Sequence, residues 1–239
     1  MVSRIHPFRL FVKEFIEHYK KYGVDKIYLY DNNDIEGEKL EEAINDYVNN
    51  GFVEILNWRG KKQALFKIVN NCYQINYNYY DFLLFFEIDE YIHLYNYSNI
   101  KQFLSMKILD NCEIIYLNLV CHTDNNKLYY EDKPLKERFP QTIPLNKLDI
   151  FEVKFILRGH IPNITINHIH YGNTKIKNCN SFGHSYKSLD IYYKVKPDYQ
   201  YYYIDHYYSK STEEFIYKIN NKASPIFNAT SFLYNRIYK

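Results

Sequence analysis

The residues best able to do chemistry sit together in the stretch DFLLFFEIDEYIHL, Asp81 to Leu94. Three carboxylates, Glu87, Asp89 and Glu90, follow the apolar run Phe82 to Phe86, and apolar residues resume at Tyr91 and Ile92. Positions two apart on an extended chain point to one side, so Glu87 and Asp89 are expected to face the same way. Two hard oxygen ligands held side by side suit Mg²⁺ or Mn²⁺, above all an ion shared with substrate phosphates. An acidic pair at a strand end also marks, more plainly, where a strand meets water. The surrounding elements decide between these readings.

Phe82 to Phe86 is too short for a globular helix and reads as a strand buried on both faces, central in an α/β sheet. Ahead of it, helix and strand patterns alternate. Phe8, Phe11, Val12, Phe15, Ile16 and Tyr19 mark a helix from about Pro7 to Tyr22, with Gly23 as its left-handed cap. A strand at Lys26 to Tyr30 follows, then a helix marked by Leu40, Ala43, Ile44, Tyr47 and Val48. A strand at Phe52 to Leu56 and a helix from about Lys61 to Tyr77 complete the alternation. It predicts parallel strands joined by right-handed crossovers. Their C-terminal ends share an edge, so Asp31 and Asn33 are expected in the crevice of Glu87 and Asp89, binding a ribose hydroxyl or a base edge. The same DNND phrase is equally an ordinary turn.

Beyond Leu94 the pattern predicts a short helix at Ile100 to Leu104 and a strand at Glu113 to Val120 beside the central one. Two more strands are expected between Phe151 and Tyr171, the first with Lys154 and Arg158, the second with His168 and His170. Residues 174–200 lack periodicity and read as an irregular loop region. Ser211-Thr-Glu-Glu214 is a capping box that opens a C-terminal helix, which assigns Glu213 and Glu214 a structural role. Two histidines at spacing two could hold zinc, but no third ligand stands near them in sequence.

The chain has 239 residues, enough for one sizeable domain, and the whole of it reads as one. Its net charge of +2, with both signs mixed, argues against a nucleic-acid partner. Aromatics reach 19%, with 28 Tyr; the matching abundance of Asn, Ile and Lys points to coding bias, so single tyrosines carry little weight. Cys72, Cys112, Cys121 and Cys179 show no metal or scaffold spacing and are expected to be free, mostly buried thiols. No signal peptide or membrane span is read from the sequence, so the expectation is a soluble, cytoplasmic protein. The sequons at Asn96, Asn163 and Asn228 are read as chance in an Asn-rich chain.

Three phrases carry a more specific signal: KEFIEHYKKYGVDKIYLYDNND (Lys13 to Asp34), YDFLLFFEIDEYIHL (Tyr80 to Leu94) and HYYSKSTEEFIYKI (His206 to Ile219). In this order they resemble the EWxxYHxxLGVDHFYLYDNxS, DWxxFIDxDEFI and HYxxKSxEEF phrases of glycosyltransferase family 92. That resemblance implies a GT-A-like, Rossmann-like fold: a mostly parallel central sheet flanked by helices. It also implies an inverting, metal-dependent transferase with a nucleotide-sugar donor, UDP-galactose in the best-understood members, and a glycan or glycoprotein acceptor. Carried over, Glu87 and Asp89 are the DxD-like metal ligands, with His206 completing the coordination of Mn²⁺ (or Mg²⁺). Lys210 faces the leaving diphosphate, and Asp31 and Asn33 belong to the nucleotide pocket. An inverting transferase needs a carboxylate to deprotonate the acceptor hydroxyl, and Asp124, then Asp132, are the expected bases. The family's Lys-x-Ile-x-Arg phrase resembles Lys154 to Arg158, implying acceptor or phosphate contacts there.

Two departures stand out. Glu87 replaces the first Asp of the pattern, and only Ser3 to Pro7 stand where members carry a Lys-Asn-Glu-like strand: either that strand is missing, which would leave an open sheet edge, or Met1 is an internal start. Both features keep a second class in view, an inactive module that binds nucleotide sugar or glycan. A metal-dependent phosphoester hydrolase is the third, since clustered carboxylates also serve two-metal chemistry.

Overall fold

The computed structural model describes residues 7–32, 35–36, 39–61, 65–144, 152–167, 170, 173, 175–185 and 201–220. Helix α1, Pro7–Lys21, turns Phe11, Val12, Phe15, Ile16 and Tyr19 into the core, as their helical spacing requires. Gly23 ends it at φ +77°, a left-handed geometry that side chains resist. Strand β1, Ile27–Asp31, pairs in parallel with β2, Val53–Asn57, across helix α2, Glu41–Asn49. Helix α3, Leu65–Asn76, then leads to β3, Phe82–Leu84. To this point the alternation expected from the sequence holds, with boundaries slightly shifted.

The sheet differs from the expectation. Among the described residues β1 and β2 form a two-stranded sheet by themselves. A second sheet joins β3 to β4 (Glu90–Leu94), β5 (Ile114–Cys121), β6 (Val153–Arg158), β7 (Asn178–Asn180) and β8 (Tyr202–His206). Its order is β3-β6-β5-β8-β4, with β7 beside β5. The pairs β3/β6, β5/β6 and β4/β8 are antiparallel while β5/β7 and β5/β8 are parallel, so the sheet is mixed rather than mostly parallel. Strand β3 stands at one end of that order, so the Phe82 to Phe86 run is not central. It pairs over only three residues, and Phe82 and Leu84 stay half-buried. Among the described residues β1 pairs only with β2, and β3 only with β6; Ser3 to His6, where the sequence raised the question of a further strand, lie outside the described residues.

The centre belongs to β5, which is covered on both faces. Ile115, Leu117 and Leu119 join the core beneath α1, and Ile114 and Tyr116 join a second core with Val69 and Tyr73 of α3. Each such fully buried side chain contributes about 1.5–3 kcal/mol. Helices α4 (Ile100–Leu104), α5 (Leu135–Arg138) and α6 (Thr212–Asn220) complete the fold. Thr165–Asn167, expected in a strand, are not one, and His168 lies outside the described residues. Cys112 and Cys179 form a disulfide tying the turn before β5 to β7, which corrects the expectation of four free thiols; Cys72 and Cys121 are free. No helix among the described residues is long and apolar enough to cross a membrane.

Candidate active site

Between β3 and β4 the chain turns sharply. The Glu90 N–H donates to Glu87 O at 3.0 Å, and the Glu87 N–H donates to Glu90 Oε2 at 2.9 Å. Glu87 and Asp89 are thus brought together by a turn, not by the alternation of an extended strand. Strand β8 runs antiparallel beside β4 with His206 opposite Glu90, and the Tyr207 N–H donates to Asp89 O at 3.0 Å. This pairing spans more than a hundred residues of sequence and delivers the third expected ligand. Ligand-capable atoms of Glu87, Asp89 and His206 all lie within 4.8 Å of one another, the one such group found among the described residues.

Two buried lysines face these acids. Lys210 Nζ donates to Asp89 Oδ2 at 2.7 Å and lies 5.1 Å from the centre of the Phe11 ring of α1. Lys210 has a φ of +42°, a strained backbone for a residue with a side chain. Lys154 of β6 lies 3.0 Å from Glu90 Oε1 and 3.3 Å from Glu87 Oε1. Burial raises the Glu90 carboxyl pKa against the pull of Lys154. Burial works to lower Lys154, but Glu90 and Glu87 outweigh it and hold the ammonium above its usual range.

The segment carrying Lys210 is fixed from below. Ser211 and Glu214 form the expected capping box: the Ser211 N–H donates to Glu214 Oε2 at 3.0 Å and the Glu214 N–H to Ser211 Oγ at 3.3 Å. Both Glu214 carboxylate oxygens also accept from the one nitrogen Arg138 Nη2, at 2.6 and 2.7 Å, in a pair wholly inside the protein. The loop after β5 docks on the same helix start, with Thr212 and Glu213 N–H groups donating to Lys127 and Leu128 carbonyls at 3.0 Å.

The other expected site residues fall as follows. Asp124 lies in that docked loop, where its Oδ1 accepts the Asn126 N–H at 3.0 Å. Asp132 accepts from the Tyr130 hydroxyl at 3.3 Å. Asp31 is buried at the end of β1 and its carboxylate accepts from Arg59 Nη1 at 3.1 Å. It does not belong to the Glu87–Asp89–His206 group, and Asn33 lies outside the described residues. Arg158, expected to touch acceptor or phosphate, instead locks backbone, donating to Cys112 O at 2.9 Å and Leu109 O at 3.0 Å. Lys154 serves the acids rather than an open surface. Sequence reasoning missed its partnership with Glu90, although an inward Lys on an apolar strand is itself a signal. It also missed His122, whose Nε2 lies 2.7 Å from Asp205 Oδ1 and Nδ1 2.7 Å from Phe139 O.

The second and third sequence phrases therefore converge on one turn, one strand end and one helix start. Residues 7–231 match the family model described as Glycosyltransferase family 92. The chain belongs to that family. No curated protein matches it. Family 92 membership makes it a glycosyltransferase by class, with sugar donor and acceptor as its substrates. The donor set of this family 92 chain fits a divalent cation: two carboxylates and one imidazole, with bonds of about 2.1 Å, need ligand atoms about 3–4 Å apart. The ligand atoms of Glu87, Asp89 and His206 lie within 4.8 Å of one another.

Proposed function

We propose that this chain is a metal-dependent, inverting glycosyltransferase that moves a sugar, galactose in the leading case, from a UDP-sugar to a hydroxyl of a glycan or glycoprotein. The observation that carries the reading is the grouping of Glu87, Asp89 and His206 with Lys210 against Asp89. Glu87, Asp89 and His206 would hold Mn²⁺ or Mg²⁺, which when bound neutralises the donor diphosphate. Lys210 exchanges its partner, leaving Asp89 Oδ2 for the diphosphate oxygens on which charge grows as the sugar–oxygen bond breaks. The acceptor oxygen attacks the anomeric carbon from the opposite face and its proton passes to a carboxylate, Asp124 in this account. Asp31 and Asn33 are assigned to nucleotide binding on the family resemblance of their phrase.

Calorimetry of UDP binding tests the reading. UDP is expected to bind the wild type far more tightly with Mn²⁺ than with EDTA, and that gain should vanish in Asp89→Asn. Equal affinity in both media would count against the site. A second reading, an inactive binding module, is favoured by Glu87 in place of Asp; it requires Mn²⁺-dependent UDP binding without hydrolysis of any nucleotide sugar. Two-metal phosphoester hydrolysis would call for more ligands than the one group found among the described residues. The Cys112–Cys179 disulfide fits an oxidising compartment better than the cytoplasm expected from the sequence.

A further inference from the structure

We propose that Asn163 and Asn96 are acceptor sites for N-linked glycans added by a separate transferase, an inference independent of the metal reading of Glu87, Asp89 and His206. Each opens a sequon, Asn163-Ile164-Thr165 and Asn96-Tyr97-Ser98, with no proline inside it. Such triplets are common in an Asn-rich chain, so their place in the fold decides. Both asparagines are exposed turn residues, and the hydroxyl-bearing Thr165 and Ser98 are exposed as well. Asn163 follows β6 with φ +61°, a left-handed conformation that asparagine tolerates better than most residues. The backbone around it is fastened to α3. The Tyr73 hydroxyl donates to Ile161 O at 2.9 Å, and Gln74 Nε2 to Ile164 O at 2.9 Å. Asn70 accepts the Ile166 N–H at 2.8 Å and donates to Ile166 O at 2.9 Å. Ile164 and Ile166 are thereby buried, while Asn163 and Thr165 between them stay in solvent.

Both sequons lie at the end of the sheet remote from the acids. Strand β6 carries Lys154, beside Glu87, near its start and reaches the Asn163 turn after Arg158, whose partner is Phe82 at the start of β3. Strand β4 begins at Glu90 and reaches Asn96 past Leu94, whose partner is Tyr202 at the start of β8, whereas His206 ends β8. A bulky, solvated glycan at either place leaves the Glu87–Asp89–His206 group open. The compartment is read from a different observation. Cys112 and Cys179 are both buried and joined, and a structural disulfide marks a chain that folds where thiols are oxidised. Lipid-linked glycans are moved to asparagine in compartments of that kind, so the bridge and the sequons point the same way. In the step itself the asparagine Nδ2 attacks the anomeric carbon of a lipid-diphosphate-linked glycan. The carbon–nitrogen bond forms, the carbon–oxygen bond to the diphosphate breaks, the lipid diphosphate leaves, and the amide gives up one proton.

The test uses the full chain as its own source makes it, with peptide-N-glycosidase as the probe. Cleavage is expected to lower the apparent mass on a denaturing gel, in two steps under partial digestion. Run in oxygen-labelled water, it should leave a labelled aspartate at positions 163 and 96, read by peptide mass spectrometry. Asn163→Gln and Asn96→Gln are each expected to lose one step, and the double variant both. Thr165→Ala should lose the same step as Asn163→Gln while leaving the asparagine and its left-handed turn in place, and Thr165→Ser should keep it. A wild type whose mass ignores the glycosidase and whose peptides carry unmodified Asn163 and Asn96 overturns the proposal. A full set of steps surviving in Asn163→Gln and Thr165→Ala overturns the Asn163 site, and a full set surviving in Asn96→Gln overturns the Asn96 site. Label found only at other positions overturns both.

Discussion

Lys210 offers the sharpest perturbation, because one substitution should push two measurements in opposite directions. Its ammonium lies 2.7 Å from Asp89 Oδ2, with the two side chains only 9% and 4% exposed. A hydrogen bond between charged groups is worth about 1.5–3 kcal/mol net. A cation that takes Asp89 as a ligand must compete with that bond. In Lys210→Met the competition is gone, so Mn²⁺ alone should bind roughly 10- to 100-fold more tightly, at 1.4 kcal/mol per tenfold. Turnover should move the other way. Without a cation at the departing diphosphate, slow hydrolysis of a UDP-sugar should fall roughly a hundredfold. Calorimetry with Mn²⁺ alone and a hydrolysis assay, run on the same preparations, read both. Weaker or unchanged Mn²⁺ binding in Lys210→Met would refute the reasoning, even if hydrolysis also fell.

Two further outcomes concern the scaffold. His18 donates from Nε2–H to Ile92 O at 3.0 Å, and burial pushes its pKa down to about 4. An unfolded histidine takes its proton near pH 6.5, so stability is lost as pH falls from about 6.5 to about 4, by up to about 3 kcal/mol; urea unfolding should show that loss in the wild type and a shallower one in His18→Gln, and equal slopes would contradict it. The Cys112–Cys179 disulfide closes a separation of 67 residues, worth about 4 kcal/mol by chain entropy. Cys112→Ser/Cys179→Ser should therefore melt roughly 10 °C lower than the oxidised wild type, and the wild type in dithiothreitol should match it; melting that ignores reductant would contradict the bridge.

The parts of the fold legible in the sequence were those whose signal is local. Helical periodicity placed α1 through its buried Phe11, Phe15 and Tyr19, and the Ser211–Glu214 box placed the start of α6. Strand β8 was missed because its pattern is masked: Tyr202 is buried and Tyr203 half-exposed, so alternation is invisible when neighbours are both Tyr. The parallel reading failed for a different reason. Apolar runs such as Phe82 to Phe86 and Ile114 to Val120 record burial, and burial alone says neither which strands are neighbours nor which way they run. The candidate site followed the same division. Glu87, Asp89, His206 and Lys210 were legible through their phrases. The Glu87–Glu90 turn and Lys154, 67 residues from Glu87, depend on contacts that no spacing encodes.

The central claim is that Glu87, Asp89 and His206 share one divalent cation with the donor diphosphate. Anomalous diffraction at the manganese edge, from crystals grown with Mn²⁺ and UDP, tests it most directly. The account predicts one peak about 2.2 Å from a carboxylate oxygen of Glu87, a carboxylate oxygen of Asp89 and a ring nitrogen of His206, with Lys210 Nζ on the diphosphate. A manganese peak away from these three residues, or UDP bound there with Lys210 still on Asp89 and no peak between them, would contradict it.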